Sequence, residues 1–210
     1  LKGGLQSRWN SVKRRLPRES RILKKCRTDI TTCPPAAKRF LAILDKAQTR
    51  DGWARIAEIN RAINLNIKPA DDMIQYGVAD YWATPLTTFA SNAGDCEDYA
   101  IAKYVALREM GIAADDLRLV IVHDRTQNDD HAVTAVRHDG FWLILDNRTL
   151  AMRQDVDVAA FDPLFMIDNS GVKRIIVLAP KAPLDPWLNA KPADVSVQIS
   201  SRWQSAPMLF

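Results

Sequence analysis

The sequence predicts an α+β fold, with helices first and an antiparallel sheet second. Three observations carry this. Up to Gly111, apolar residues recur at helical spacing. After it, short runs rich in Val, Ile and Leu are separated by turn signals, without intervening helices. The two halves meet at Ser91-Asn92-Ala93-Gly94-Asp95-Cys96-Glu97-Asp98-Tyr99-Ala100, where a glycine turn runs straight into a helix.

The elements follow in order. Residues 9–25 read as a basic helix, broken or bent at Pro17, which lacks an N–H. Pro34-Pro35 makes a turn and then a good first helical position. Ala36, Ala37, Phe40, Leu41, Ile43, Leu44 and Ala47 give the next helix one apolar face. Asp51-Gly52 ends it, and a third helix runs from Trp53 with Ile56, Ile59, Ala62 and Ile63 at helical spacing. Residues 64–72 read as a polar linker containing Pro69. Residues 80–85 read as an extended or turn segment, since Pro85 keeps Thr84 out of the helical region. Asp95 stands where an N-cap should, with Asp98 three positions on in a capping-box-like pair. The helix they open is amphipathic, with Ala100, Ile101, Tyr104, Val105 and Leu107 apolar and Gly111 as its C-cap. Strands are expected over 117–122, 131–136, 141–146 and 172–178, with His138-Asp139-Gly140 as a hairpin signal. From Pro180 the chain is Pro-rich and irregular. The expected organisation is one domain in three parts: a basic helical arm and helix (1–52), a core carrying the motif (53–180), and the irregular tail (181–210).

At 210 residues the chain can bury one good core, and 47% hydrophobic residues is a globular composition. No apolar run approaches the roughly 20 residues that span a bilayer. Leu1-Lys2-Gly3-Gly4 has no apolar stretch of signal-peptide type. The net charge of +4 hides an asymmetry. Ten of the 29 Lys/Arg but one of the 25 Asp/Glu lie in residues 1–27, so that stretch carries +9 and the rest −5. A mildly acidic body without aromatic platforms argues against nucleic acid. The basic arm reads as a solvated helix face or as a contact for acidic lipid headgroups.

Of three cysteines, Cys26 and Cys33 are seven apart, a loop short enough to close as a disulfide in an oxidising compartment. Cys96 is the odd one out. At the first helical position its sulfur meets free N–H groups and the positive end of the helix dipole, which favour a thiolate. Asp95, Glu97 and Asp98 oppose a thiolate unless something neutralises them. A thiol nucleophile needs a base, and the base an orienting group. Among three histidines, His123 sits at a strand end and His138 at a hairpin tip, so His131 is the preferred base. If the hairpin turns on Asp139-Gly140, His138 faces Phe141 and Val133 faces Asp146. Asp146 is then the diagonal neighbour of His131 on one sheet face. A one-residue slip would send it to the other face.

These residues carry a family resemblance. Gly94-Asp95-Cys96-Glu97-Asp98-Tyr99-Ala100, preceded by Tyr81-Trp82-Ala83-Thr84-Pro85 and followed by His131 and Leu145-Asp146-Asn147, resembles the bacterial transglutaminase-like cysteine peptidases. More narrowly it is similar to the LapG type, periplasmic proteases of biofilm adhesins. The resemblance covers roughly residues 53–150. It implies a papain/transglutaminase-like fold, with the nucleophile at the start of the central helix. It implies Cys96 as nucleophile, His131 as general base and acid, and Asp146 as the orienting carboxylate. The Cys96 backbone N–H would help hold the oxyanion, and Trp82 would wall the cleft or fill the core. LapG-type enzymes depend on calcium, which implies Ca²⁺ on Asp95 and Glu97, with Asp98 a further candidate and other oxygens completing the shell. The implied substrate is the N-terminal region of a large surface adhesin. The implied inhibitor is the periplasmic domain of an inner-membrane cyclic-di-GMP receptor, and the implied location is the periplasm.

Two other readings stay open at this point. The same triad serves an acyl-transfer enzyme, a transglutaminase or amidase, because an amine can take the acyl group instead of water. A catalytically silent binding module would instead work through the basic arm and aromatics such as Trp9, Trp53 and Trp203.

Overall fold

The computed structural model describes residues 2–176, so the last two residues of the expected strand 172–178, the tail 181–210 and Trp203 lie outside the described residues. The helices are α1 (Lys2–Thr28), α2 (Pro35–Gln48), α3 (Gly52–Asn66), α4 (Asp72–Tyr76), α5 (Pro85–Ser91) and α6 (Cys96–Glu109). The strands are β1 (Lys68–Pro69), β2 (Ala93–Gly94), β3 (Leu117–Asp124), β4 (Asp129–His138), β5 (Phe141–Leu145), β6 (Arg153–Gln154), β7 (Phe161–Asp168) and β8 (Gly171–Arg174). Strands β3 to β8 form one antiparallel sheet in the order β6-β5-β4-β3-β7-β8. The expected helices-then-sheet order is therefore what the chain adopts.

Side-chain alternation divides the sheet into two faces. Leu117, Leu119, Ile121, Ala132, Val136, Leu143 and Leu145 join the core shared with the helices. Val120, Val122, Val133, Ala135, Trp142 and Ile144 build a second cluster on the other face with Val158 and Phe161. Helix α6 lies on β3 and β4 and also meets α3 and α5. It is not amphipathic as expected. Tyr99 to Tyr104, Ala106 and Leu107 are all buried, because the sheet and other helices enclose it. A helix wrapped on all sides can hold a residue at its tip with little freedom.

Helix α1 is no loose arm. Leu5, Trp9, Val12, Leu23 and Cys26 enter the core, and Trp9 meets Tyr104 of α6 edge-on at 5.6 Å. Trp9 thus belongs to the interior, not to a docking surface. The helix runs through Pro17 without a break, its buried residues on either side holding it in place. A disulfide joins Cys26 to Cys33 and ties the end of α1 to the start of α2. Cys96 is left as the free cysteine among the described residues.

Further departures have local causes. Strand β7 was not anticipated, since Pro163 interrupts its pattern; the Pro sits where the β3 pairing skips from Phe165 to Pro163, a bulge that tolerates it. Within the supposed linker, Lys68 and Pro69 pair in parallel with Ala93 and Gly94. Two short helices, α4 and α5, were also missed; Asp71 caps the first and Pro85 opens the second.

Candidate active site

The nucleophile's position follows from three local constraints. Strand β1 grips β2, with Lys68 N–H donating to the Asn92 carbonyl (2.9 Å) and Ala70 N–H to the Gly94 carbonyl (3.0 Å). Gly94 must be glycine, since a Cβ there would lie 2.6 Å from Asp98 Oδ2. Asp95 then caps α6, its carboxylate accepting from Asp98 N–H at 3.2 Å. The reciprocal half of the capping box is absent: Asp98 Oδ1 accepts instead from Ala83 N–H at 2.7 Å. That bond pins the Trp82-Ala83-Thr84 segment beside the helix start. Helix α1 grips the same segment: Arg15 donates to the Tyr81 hydroxyl and the Trp82 carbonyl. Glu19 accepts from Thr84 Oγ1 and from Leu86 N–H. Trp82 itself is buried.

Cys96 opens α6 as expected, half-buried. Its Sγ donates to Glu97 Oε2 at 2.9 Å. Burial pushes the thiol up, and the Glu97 and Asp95 charges push the same way. The Ala132 amide works against them, which places the sulfur beside the residue that follows His131. The contest between helix dipole and carboxylates is thus decided for the protonated thiol by burial and the carboxylates.

The other two members of the expected triad do meet. His131 Nε2 and Asp146 Oδ1 are 2.9 Å apart, and both side chains are buried. The register is the expected one: His138 pairs with Phe141, and the ladder runs to Thr134–Leu145. Asp146 follows directly, just past the end of β5. It is held from several sides: Arg148 N–H donates to Oδ1 (2.9 Å), Arg153 approaches Oδ2 (3.8 Å), and Asn64 Nδ2 donates to its carbonyl (2.9 Å). Burial alone would push this carboxyl up. The His131 hydrogen bond, the Arg148 amide and nearby positive charge override it and hold Asp146 well below the usual carboxylate range. Thr134 Oγ1 donates to the Ala100 carbonyl at 2.7 Å, fixing α6 against β4. With Nε2 committed to Asp146, Nδ1 is the imidazole nitrogen left for a thiol.

The acids divide differently from the expected set. Asp72, Asp95 and Asp98 bring carboxylate oxygens within 4.8 Å of one another. Glu97 is not among those three and takes the Cys96 hydrogen bond, although its charge acts on both Asp95 and Asp98. Asp72 escaped the sequence because it lay in the supposed linker. The β1–β2 pairing delivers it, two residues past Ala70, to Asp95, one residue past Gly94. Asp72 Oδ1 and Asp98 Oδ2 are buried without a hydrogen-bond partner. Two orphaned carboxylate oxygens in one cluster suit a hard cation such as Ca²⁺. Burial, then the Glu97, Asp98 and Asp72 charges, pushes Asp95 up to about 9; burial, with the Asp72 and Glu97 charges, pushes Asp98 up to about 7.

Those two shifts predict a pH dependence. Unfolded, both groups titrate near 3.8; folded, they keep their protons to about 9 and about 7. Between these values the folded chain binds more protons, so stability falls as pH rises. In chelator, the melting temperature should drop by about 10 °C or more from pH 5 to pH 8. Asp98→Asn should flatten that drop. Calorimetry across this range checks it, and a melting temperature that rises with pH contradicts the crowding of these acids.

Helices packed on an antiparallel sheet, with a cysteine opening the central helix and an imidazole–carboxylate pair on the strands beside it, define a papain/transglutaminase-like fold. The chain belongs to the bacterial transglutaminase-like cysteine proteinases, a family whose model matches residues 21–158. No curated protein matches it. Among solved structures it is similar to LapG of Legionella pneumophila, at 23% identity and a TM-score of 0.61, covering 74% of this chain and 86% of that one. A calcium-bound form of the same LapG matches with the same values. Cysteine-peptidase character and fold are thus established. Among the described residues no helix is long and apolar enough to cross a membrane.

Proposed function

We propose that the chain is a calcium-dependent cysteine endopeptidase acting through Cys96, His131 and Asp146. The observation that carries this is the buried 2.9 Å His131–Asp146 pair beside the helix that begins at Cys96. In the proposed cycle His131 Nδ1 takes the Cys96 proton as sulfur attacks the peptide carbonyl carbon. A C–S bond forms, and the Cys96 N–H faces the oxyanion. Collapse breaks the C–N bond, and the imidazolium hands its proton to the leaving amine. Water, deprotonated by His131, then cleaves the thioester and restores the thiol. Asp146 orients the ring and stabilises its cationic form.

Asp72, Asp95 and Asp98 would hold calcium, with backbone carbonyls or water filling the remaining positions; Glu97, in the first turn of α6, is the further candidate acid. Bound there, the cation supplies positive charge that offsets the crowded carboxylates and fixes the turn presenting Cys96. The calcium-bound form of LapG, a structure of similar fold, supports calcium as the cation.

The motif resemblance extends the proposal to substrate and setting. The substrate is the N-terminal region of a large surface adhesin, whose cleavage releases cells from a biofilm. The inhibitor is the periplasmic domain of an inner-membrane cyclic-di-GMP receptor. A periplasmic address is supported by the Cys26–Cys33 disulfide, a bond of oxidising compartments. The test is incubation with an adhesin N-terminal fragment and mass analysis of the products. Two fragments whose masses sum to the substrate plus one water are expected. A crosslinked product with loss of ammonia would replace the peptidase by an acyl transferase, and an unchanged substrate would leave the silent binding module.

A further inference from the structure

Lys103 is the only fully buried lysine or arginine among the described residues. It lies seven residues after Cys96 in α6, two helical turns on, so both side chains leave the same side of the helix. Its Nζ is 3.4 Å from the carbonyl oxygen of Leu145, the residue before Asp146. The Asp146 charge acts on it directly, and the Tyr99 ring stands 6.0 Å from Nζ. A buried ammonium destabilises a fold unless it is well paired, whereas an apolar side chain of similar length does not. One long hydrogen bond is weak pairing, so stability alone does not account for a lysine here.

We propose that Lys103 is a positioning residue, tying the helix that carries Cys96 to the strand end that carries Asp146 and holding that carboxylate against His131. The proposal rests on the peptidase reading above. Asp146 is also faced by His131 from β4, by Arg148 just beyond β5, by Arg153 of β6 and by Asn64 of α3. Asp124 of β3 draws Arg148 partly away, at 2.9 Å. The Arg148 and Arg153 side chains are 38% and 43% exposed, so solvent screens them. Lys103 is enclosed, and its field reaches Asp146 with little screening. Burial pulls the amine down to about 7, and Asp146 works against that, helping it keep its proton.

The test is Lys103→Met, read three ways in the full chain. The melting temperature should hold or rise. Alkylation of Cys96 by iodoacetamide, which needs no peptide, should slow about tenfold. The kcat on the adhesin fragment should fall about 10- to 100-fold with KM within about twofold, the scale of a small misplacement of reacting groups. In an Asp146→Asn background the same change should cost nothing further, because both act through one carboxylate. Lys103→Gln keeps an N–H for the Leu145 carbonyl without the charge, and should fall between parent and Met. Parental alkylation and kcat in the Met variant would overturn the proposal. So would full multiplication of the two losses in the double variant, or failure of both Lys103 variants to fold, which assigns the residue to the core alone. A parent chain that cuts no peptide would sink the peptidase reading separately, and Lys103 would then be judged on alkylation.

Discussion

Cys96→Ala should abolish peptide cleavage, with kcat/KM down about 10,000-fold or more and the fold intact. The side chain is small and half-buried, and it is the free cysteine among the described residues. Its loss opens no large cavity, so the melting temperature should stay within a few degrees of the parent. His131→Ala should lose as much, and the double variant no more, because nucleophile and base act as one unit. Asp146→Asn should cost less, on the order of 100-fold, since an amide oxygen can still accept from Nε2. This ordering separates a triad from three polar residues that share a neighbourhood. Peptide assays on purified variants, with circular dichroism as the folding control, measure it. Cleavage by Cys96→Ala at anything near the parental rate ends the peptidase reading.

The resting hydrogen bond from Cys96 to Glu97 sharpens the same test. A thiol that donates to a carboxylate is not yet a nucleophile. Attack requires the sulfur to hand its proton to His131 instead. Glu97→Gln removes the charge that pushes the thiol up, so it should alkylate faster than the parent.

Where the sequence could be read, the governing chemistry was local. The seven apolar positions expected on α2 are the seven that are buried, because a helix with one buried face repeats its burden every turn. The β4–β5 register followed from Asp139-Gly140, since a tight turn fixes pairing on both sides of it. That register alone puts Asp146 within reach of His131. The N-cap at Asp95 was equally legible.

What was missed depends on distant partners. Pro163 hid β7, because only the bulge opposite β3 shows why a proline is acceptable there. Asp72 looked like linker filler, because a two-residue parallel pairing between segments about 25 residues apart leaves no periodic trace. Lys103 drew no attention in the sequence, because nothing local marks the α6 face that meets Leu145 and Asp146. The half-formed capping box has the same origin: Asp98 had a better donor in Ala83, which no local rule names.

Calcium should raise the melting temperature of the parent chain and restore activity lost to a chelator. At about 100 times its Kd, a ligand specific for the folded state stabilises by about 2.7 kcal/mol. Asp98→Asn and Asp72→Asn should each remove most of that gain, since they alter the two carboxylates whose buried oxygens lack any hydrogen-bond partner. Glu97→Gln is the deciding variant. The family resemblance put Glu97 in the ligand set; the structure groups Asp72 with Asp95 and Asp98 and turns Glu97 to the thiol. Retained stabilisation by calcium in Glu97→Gln favours the structural set, and its loss restores the one the resemblance implies. Ammonium-scale monovalent salt should not substitute, because screening weakens repulsion without occupying the orphaned oxygens. A parent chain that melts at one temperature in calcium and in chelator would falsify the cation assignment outright. The crowded acids would then be a pH-sensitive strain beside Cys96, relieved by protons alone, and activity should rise as pH falls toward the lower of their two displaced values.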